Sequence, residues 1–157
     1  MATGSRNTPK GSDSPTFVEL LRRLLTGAGQ SLSAKTVEVF GWLILIEGTL
    51  VLFVPRVVAS VLQIPPLEEQ SANYFRLVGL LVGGLGLLYI VSGRLNSQGF
   101  VFASMLDRPL VPLAMAILWY FGTVPGPLAL IFSVQDFARF LWTLMTWRRE
   151  QQAIATN

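Results

Sequence analysis

The chain has no cysteine and no histidine. Without cysteine there are no disulfides, no CxxC redox pair and no thiolate ligand for a metal. Without histidine there is no His-ligated haem and no Ser-His-Asp catalysis. No metal site and no cofactor is therefore expected, and no reaction can be read from the residues present. Charge is also scarce: 13% of residues carry it, against about 25% in an ordinary soluble domain. The net charge of +3 does not point to nucleic acid. The basic residues sit at the ends of apolar runs, where they set membrane topology, and no basic, aromatic-studded module is present.

What fills the chain instead is apolar sequence, 52% of 157 residues. Val39 to Val54, VFGWLILIEGTLVLFV, is apolar except for its central Glu47. Three further runs follow, giving expected spans at about 37–55, 74–93, 99–121 and 128–147. Such lengths suit a lipid bilayer rather than a soluble core. The expected fold is all-α: a four-transmembrane-helix bundle with an N-terminal amphipathic interfacial helix. Residues 1–13 read as a disordered tail, 14–29 as the surface helix, 36–149 as the transmembrane domain and 150–157 as a frayed end.

Local signals fix several boundaries. Thr16-x-x-Glu19 is a capping-box pattern, followed by an apolar face of Leu20, Leu21, Leu24 and Leu25 beside Arg22 and Arg23. Ser33 reads as the cap of the first span, with Glu38 in its first turn. The first apolar run begins too late for a cleavable signal peptide and no A-x-A-like cleavage site follows it, so this span is expected to act as an uncleaved anchor. Pro55-Arg56 ends the first span, and VVASVLQI (57–64) reads as a short interfacial helix or a kinked continuation. Leu67 to Asn73 reads as an acidic loop, and GTVPGP (122–127) as a tight turn. Within the third span Pro109 disfavours helical geometry at Arg108, and a kinked single helix is expected. Arg6, Lys10, Arg22, Arg23, Lys35, Arg94, Arg148 and Arg149 fall on one side, and Arg56 and Arg76 on the other. The positive-inside rule then places both termini in the cytoplasm. Short loops suit a bacterial inner membrane.

Two patterns are candidates for function. The first is a stripe on span 2: Arg76, Gly79, Gly83, Gly86, Ile90 and Gly93, all on one helical face. It is either a helix-packing face or a ligand groove beside Arg76. The second is a layer of charge. Glu47, Arg108, Asp136 and Arg139 all lie roughly 12–16 Å deep by helix rise. Each central charge costs about 2.5–3.5 kcal/mol to insert, so pairing is expected: Asp136 with Arg139 on one helix, and Glu47 with Arg108 unless Glu47 stays neutral. The layer is either a closed ion-pair network or the lining of a site for a small polar or anionic molecule. The candidate ligand-binding residues are Glu47, Arg76, Arg108, Asp136 and Arg139.

The hairpin from Arg76 to Pro109 carries R-x-x-G, then G-x-x-Y-x-x-x-G-R from Gly86 to Arg94, then F-V-x-A-S-x-x-x-R from Phe100 to Arg108. With Glu47-Gly48 and Asp136, the chain over about residues 38–148 resembles the BphX-like and DoxX-like small four-helix membrane proteins. Some DoxX relatives are subunits of quinone-linked sulfur oxidation systems, so the resemblance implies an accessory subunit of a membrane complex. Two alternatives accompany ligand binding. One is a small proton-coupled exporter using Glu47. The other is an assembly subunit docking a second copy or a partner through the glycine stripe. A carboxylate pair of Glu47 and Asp136 in an intramembrane hydrolase is the fourth reading.

Overall fold

A computed structural model describes residues 15–156. The tail expected at 1–13 lies outside the described residues. Among those described, all regular structure is helical: α1 Phe17–Thr26, α2 Leu32–Phe53, α3 Pro55–Val61, α4 Glu69–Arg94, α5 Gln98–Asp107, α6 Leu110–Tyr120 and α7 Gly126–Ala155. Four stretches are long and apolar enough to cross a membrane: α2, α4, α5–α6 together, and α7.

The helix ends follow from their residues. Thr16 caps α1 by accepting from the Glu19 N–H at 3.4 Å. Gly27, at φ 64°, ends it in the left-handed conformation. Only half of the capping box forms, because the Glu19 carboxylate turns to Arg22 (3.0 Å) and Arg23 (2.8 Å). Those hydrogen bonds hold Glu19 below the usual carboxylate range.

The cap of α2 is Ser31, not Ser33. The helix starts earlier than expected, so Glu38 lies beyond its first turn. Pro55 sits at the first position of α3, which explains the break after Val54. The acidic loop is shorter than expected. Glu68 stands at the N-cap position of α4 without a side-chain capping bond, and Glu69 to Asn73 are already helical. The frayed end at 150–157 is corrected too, because α7 continues as helix to Ala155. Its 30 residues span about 45 Å, well beyond a hydrocarbon core of about 30 Å.

The α5–α6 span is one helix with a fault. Arg108 (φ −58°, ψ −40°) and Pro109 (φ −65°, ψ −21°) both keep helical dihedrals. Pro109 and Pro112 lack the N–H groups the ladder needs. The Arg108 carbonyl is met instead by the Val111 N–H at 3.3 Å. The expected kink therefore prevails over a break into two spans.

Glycine determines the closest packing in the molecule. Ala34, Gly41 and Gly48 of α2 face Gly93, Gly86 and Gly79 of antiparallel α4, seven residues apart on each helix. A methyl group on Gly41 would lie 2.8 Å from the Gly86 carbonyl oxygen and 2.7 Å from the Ile90 nitrogen. One on Gly79 would lie 2.8 Å from the Gly48 oxygen, and one on Gly93 2.8 Å from the Ala34 oxygen. The backbones touch, which only glycine at positions 41, 48, 79, 86 and 93 permits. Gly79 and Gly86 lie against the α2 backbone. Gly83 lends its backbone to the contact with Gly48, yet a methyl on Gly83 itself would meet nothing closer than Leu45 Cδ1 at 3.9 Å. At Gly79, Gly86, Ile90 and Gly93 the stripe is filled by α2, while the side of Gly83 stays open.

The four crossing elements form a row, α4–α2–α7–α6. At the end where the α1–α2 and α4–α5 connections lie, here the terminal end, α5 touches α2, α4 and α7 and closes the row into a bundle. A core of Val37, Phe40, Ile44, Tyr89, Val101 and Met105 fills it. Beyond Pro109, α6 packs on α7 alone and buries none of its residues. The far half is an open row, not a closed four-helix bundle.

Candidate functional site

Polar residues on α2, α5 and α7 converge in the closed half. Arg108 comes from the α5–α6 fault and is 1% exposed, with its guanidinium carbon 4.4 Å from the Phe40 ring centroid and 5.9 Å from that of Tyr89. Its Nη1 donates to Thr143 Oγ1 at 2.8 Å and to the Arg139 carbonyl at 3.2 Å. Arg139 follows on α7, 6.0 Å from the Phe40 centroid and 5.6 Å from that of Trp142. Asp136, 7% exposed, shares this stretch of α7. Glu47 accepts from Gln135 Nε2 at 3.3 Å.

The expected pairs do not form. Among the described residues the ion pairs are Arg22–Glu19, Arg23–Glu19 and Arg94–Glu38. Glu47 meets Gln135 rather than Arg108. Asp136 and Arg139 share a helix without touching as an ion pair. Arg108 Nε, Arg108 Nη2 and Arg139 Nη1 are buried with no hydrogen-bond partner. A closed ion-pair network would have left none of them free. Arg76 does not belong to the group. It donates to Asn73 Oδ1 at 2.7 Å on its own helix, beside the filled stripe.

A chain of hydroxyls supports Arg108 from behind. Thr36 Oγ1 donates to the Ser33 carbonyl at 2.7 Å. The Thr143 hydroxyl, 2.8 Å away, must then donate to Thr36 Oγ1, which leaves its lone pairs to accept from Arg108. Every dipole in the chain thus turns its negative end toward the cation. At the terminal end the Glu150 carboxylate accepts from Ser33 N (3.0 Å) and Ser33 Oγ (2.6 Å). Ser33 is the second residue of α2, where a helix has no acceptor of its own for the N–H. An anion there also complements the helix dipole. Glu150→Ala should leave the buried Ser33 N–H unmet, while the Ser33 hydroxyl can turn to Ser31 Oγ at 3.1 Å, and cost about 1–3 kcal/mol. Thermal unfolding, with faster hydrogen exchange over 148–155, is the check.

Glu38 belongs to a second cluster. It pairs with Arg94 Nε at 2.8 Å and accepts from Gln30 Nε2 at 2.8 Å, while Arg94 Nη1 reaches the Leu24 carbonyl at 3.0 Å. These contacts fasten the end of α1 to α2 and α4. The sequence reading missed this pair, the Ser33–Glu150 link, and Thr36, Phe40 and Gln135, and it took Tyr89 only as part of a motif. One signal was available. Asp136, Thr143 and Glu150 recur every seven residues and so mark one face of α7.

An open cleft of about 830 Å³ lies between α5 and α7 at the terminal end, lined in part by Phe102, Trp147, Ile154 and Glu150. It does not include Arg108 or Arg139. No group of three or more acidic metal-ligating residues occurs among the described residues. What the fold defines is an all-helical protein with four helices fit to cross a membrane and an arginine enclosed among them. No protein-family model, curated protein or solved structure matches the chain.

Proposed function

We propose that this is a small integral membrane protein that binds a small polar or anionic molecule at the Arg108 layer. The observation that carries this reading is the set of unpartnered donors on Arg108 and Arg139. Insertion of a central arginine costs about 2.5–3.5 kcal/mol, and each buried donor left unmet adds about 1–3 kcal/mol. An acceptor supplied from outside the chain offsets both. Arg108, Arg139, Asp136 and Glu47 line the site, and Thr143 and Phe40 hold Arg108 in place.

The rest of the assignment follows the same physics. On α1, Phe17, Val18, Leu21 and Leu25 are exposed, which supports an interfacial helix lying on the bilayer. The basic residues support termini in the cytoplasm, and short loops a bacterial inner membrane. The BphX-like and DoxX-like resemblance supports an accessory role in a membrane complex. In the exporter reading, Glu47 carries the proton and Gln135 holds its carboxylate.

Native mass spectrometry of the detergent-purified protein beside Arg108→Met tests the proposal. A bound molecule other than the bulk bilayer lipids is expected in the wild type and absent from the variant. If both carry only mixed lipids, the layer is not a binding site.

A further inference from the structure

We propose that the molecule held at this layer is a carboxylate, gripped by the Nε and Nη2 edge of Arg108; the inference rests on the layer being a binding site. A guanidinium is planar and presents its N–H groups in fixed directions. In Arg108 the Nη1 group is taken by Thr143 and the Arg139 carbonyl. The groups left free, Nε and Nη2, are those of one side edge. Their N–H bonds run parallel, which is the fork that matches the two oxygens of a carboxylate.

The surroundings select among oxyanions. Arg108 and Arg139 bring two positive charges, and Asp136 and Glu47 share the layer. A monoanion adds one negative charge to that balance, whereas a phosphate dianion adds two and brings a larger hydration shell. The ring of Phe40 stands 4.4 Å from the guanidinium carbon, and this flat apolar wall suits a planar head. Arg139 Nη1, also unpartnered, offers a third donor in the same layer. Because Arg108 is 1% exposed, entry requires motion. The adjacent α6 has no buried residue to hold it and packs on α7 alone.

A carboxylate head could come from water, as a small soluble acid, or from the bilayer, as a fatty acid. The test uses the full chain in detergent with benzoate and decanoate as probes, and benzamide and inorganic phosphate as controls. Binding is read by titration calorimetry and by the arginine Nε–H resonances. Benzoate alone binding points to water as the source, and decanoate alone to the bilayer; either supports the proposal. Arg108→Lys keeps the charge and loses the fork, which should weaken binding at least about tenfold, the loss of one charge-assisted hydrogen bond. Asp136→Asn removes a neighbouring negative charge and should tighten it. That variant keeps the test informative if Arg108→Lys fails to fold. Equal binding of phosphate or benzamide, or weaker carboxylate binding in Asp136→Asn, overturns the carboxylate assignment and leaves the binding layer standing. No response to any probe, together with only mixed lipids in the mass spectrum, overturns both.

Discussion

Gly48→Leu is expected to abolish the native fold. A side chain there would meet the Gly83 nitrogen and lie 2.7 Å from the Gly79 oxygen. Both are backbone atoms inside a helix, so neither can swing away as a side-chain end would. Overpacking an ordinary core costs about 1–3 kcal/mol. Here the α2–α4 pair must part along its length, so the cost should reach at least the upper end of that range. Phe40 and Tyr89, which meet edge-on at 5.5 Å across the same interface, would part with it. Gly83→Ala is the control. It meets only Leu45 Cδ1 at 3.9 Å and should stay within about 0.5 kcal/mol of wild type. Denaturation in a mixed-detergent titration, with size-exclusion profiles, compares the two. A Gly48→Leu protein as stable as Gly83→Ala would mean that α2 and α4 do not meet in this register.

Arg108→Met should fold at least as well as the wild type without ligand. Burying a charge without full compensation is costly, and exchanging buried ionic groups for apolar ones of similar size is often neutral or stabilising by about 1–4 kcal/mol. Methionine keeps the unbranched reach toward Phe40 and drops the two free donors. The Thr143 hydroxyl then loses a donor but still donates to Thr36. The same substitution should eliminate ligand binding, so stability and binding move in opposite directions. Unfolding of the apo protein measures the first, and native mass spectrometry the second. A fall in apo stability of about 3 kcal/mol or more, the range for breaking a buried pair, would instead make Arg108 a structural element that binds nothing.

The four spans were legible because long apolar runs have few other uses, and the layer was legible because charge within such runs is rare. Arg108, Asp136, Arg139 and Glu47 were found on depth alone. Depth, however, gives no azimuth. It could not show that Glu47 faces Gln135, or that Asp136 and Arg139 stay apart. The glycine stripe of α4 was visible, but its partners Gly41 and Gly48 were hidden among the apolar residues of α2. A lone small residue on one helix acquires meaning only in register with the other. The helical continuations at Glu69 and Glu150 were missed because polar composition was read as the end of structure. In both places the helix simply extends past the apolar run.

Three hydrogen-bond contacts join the two halves of the row, all between α2 and α7, and they are graded. Glu150 to Ser33 closes at 2.6 Å, Thr143 to Thr36 at 2.8 Å and Gln135 to Glu47 at 3.3 Å. The α2–α4 pair meets backbone against backbone, and α6–α7 forms the other pair. The seam between them is drawn tightest at the Glu150 edge and is loosest at Glu47, and Arg108 lies beside it, on Thr143.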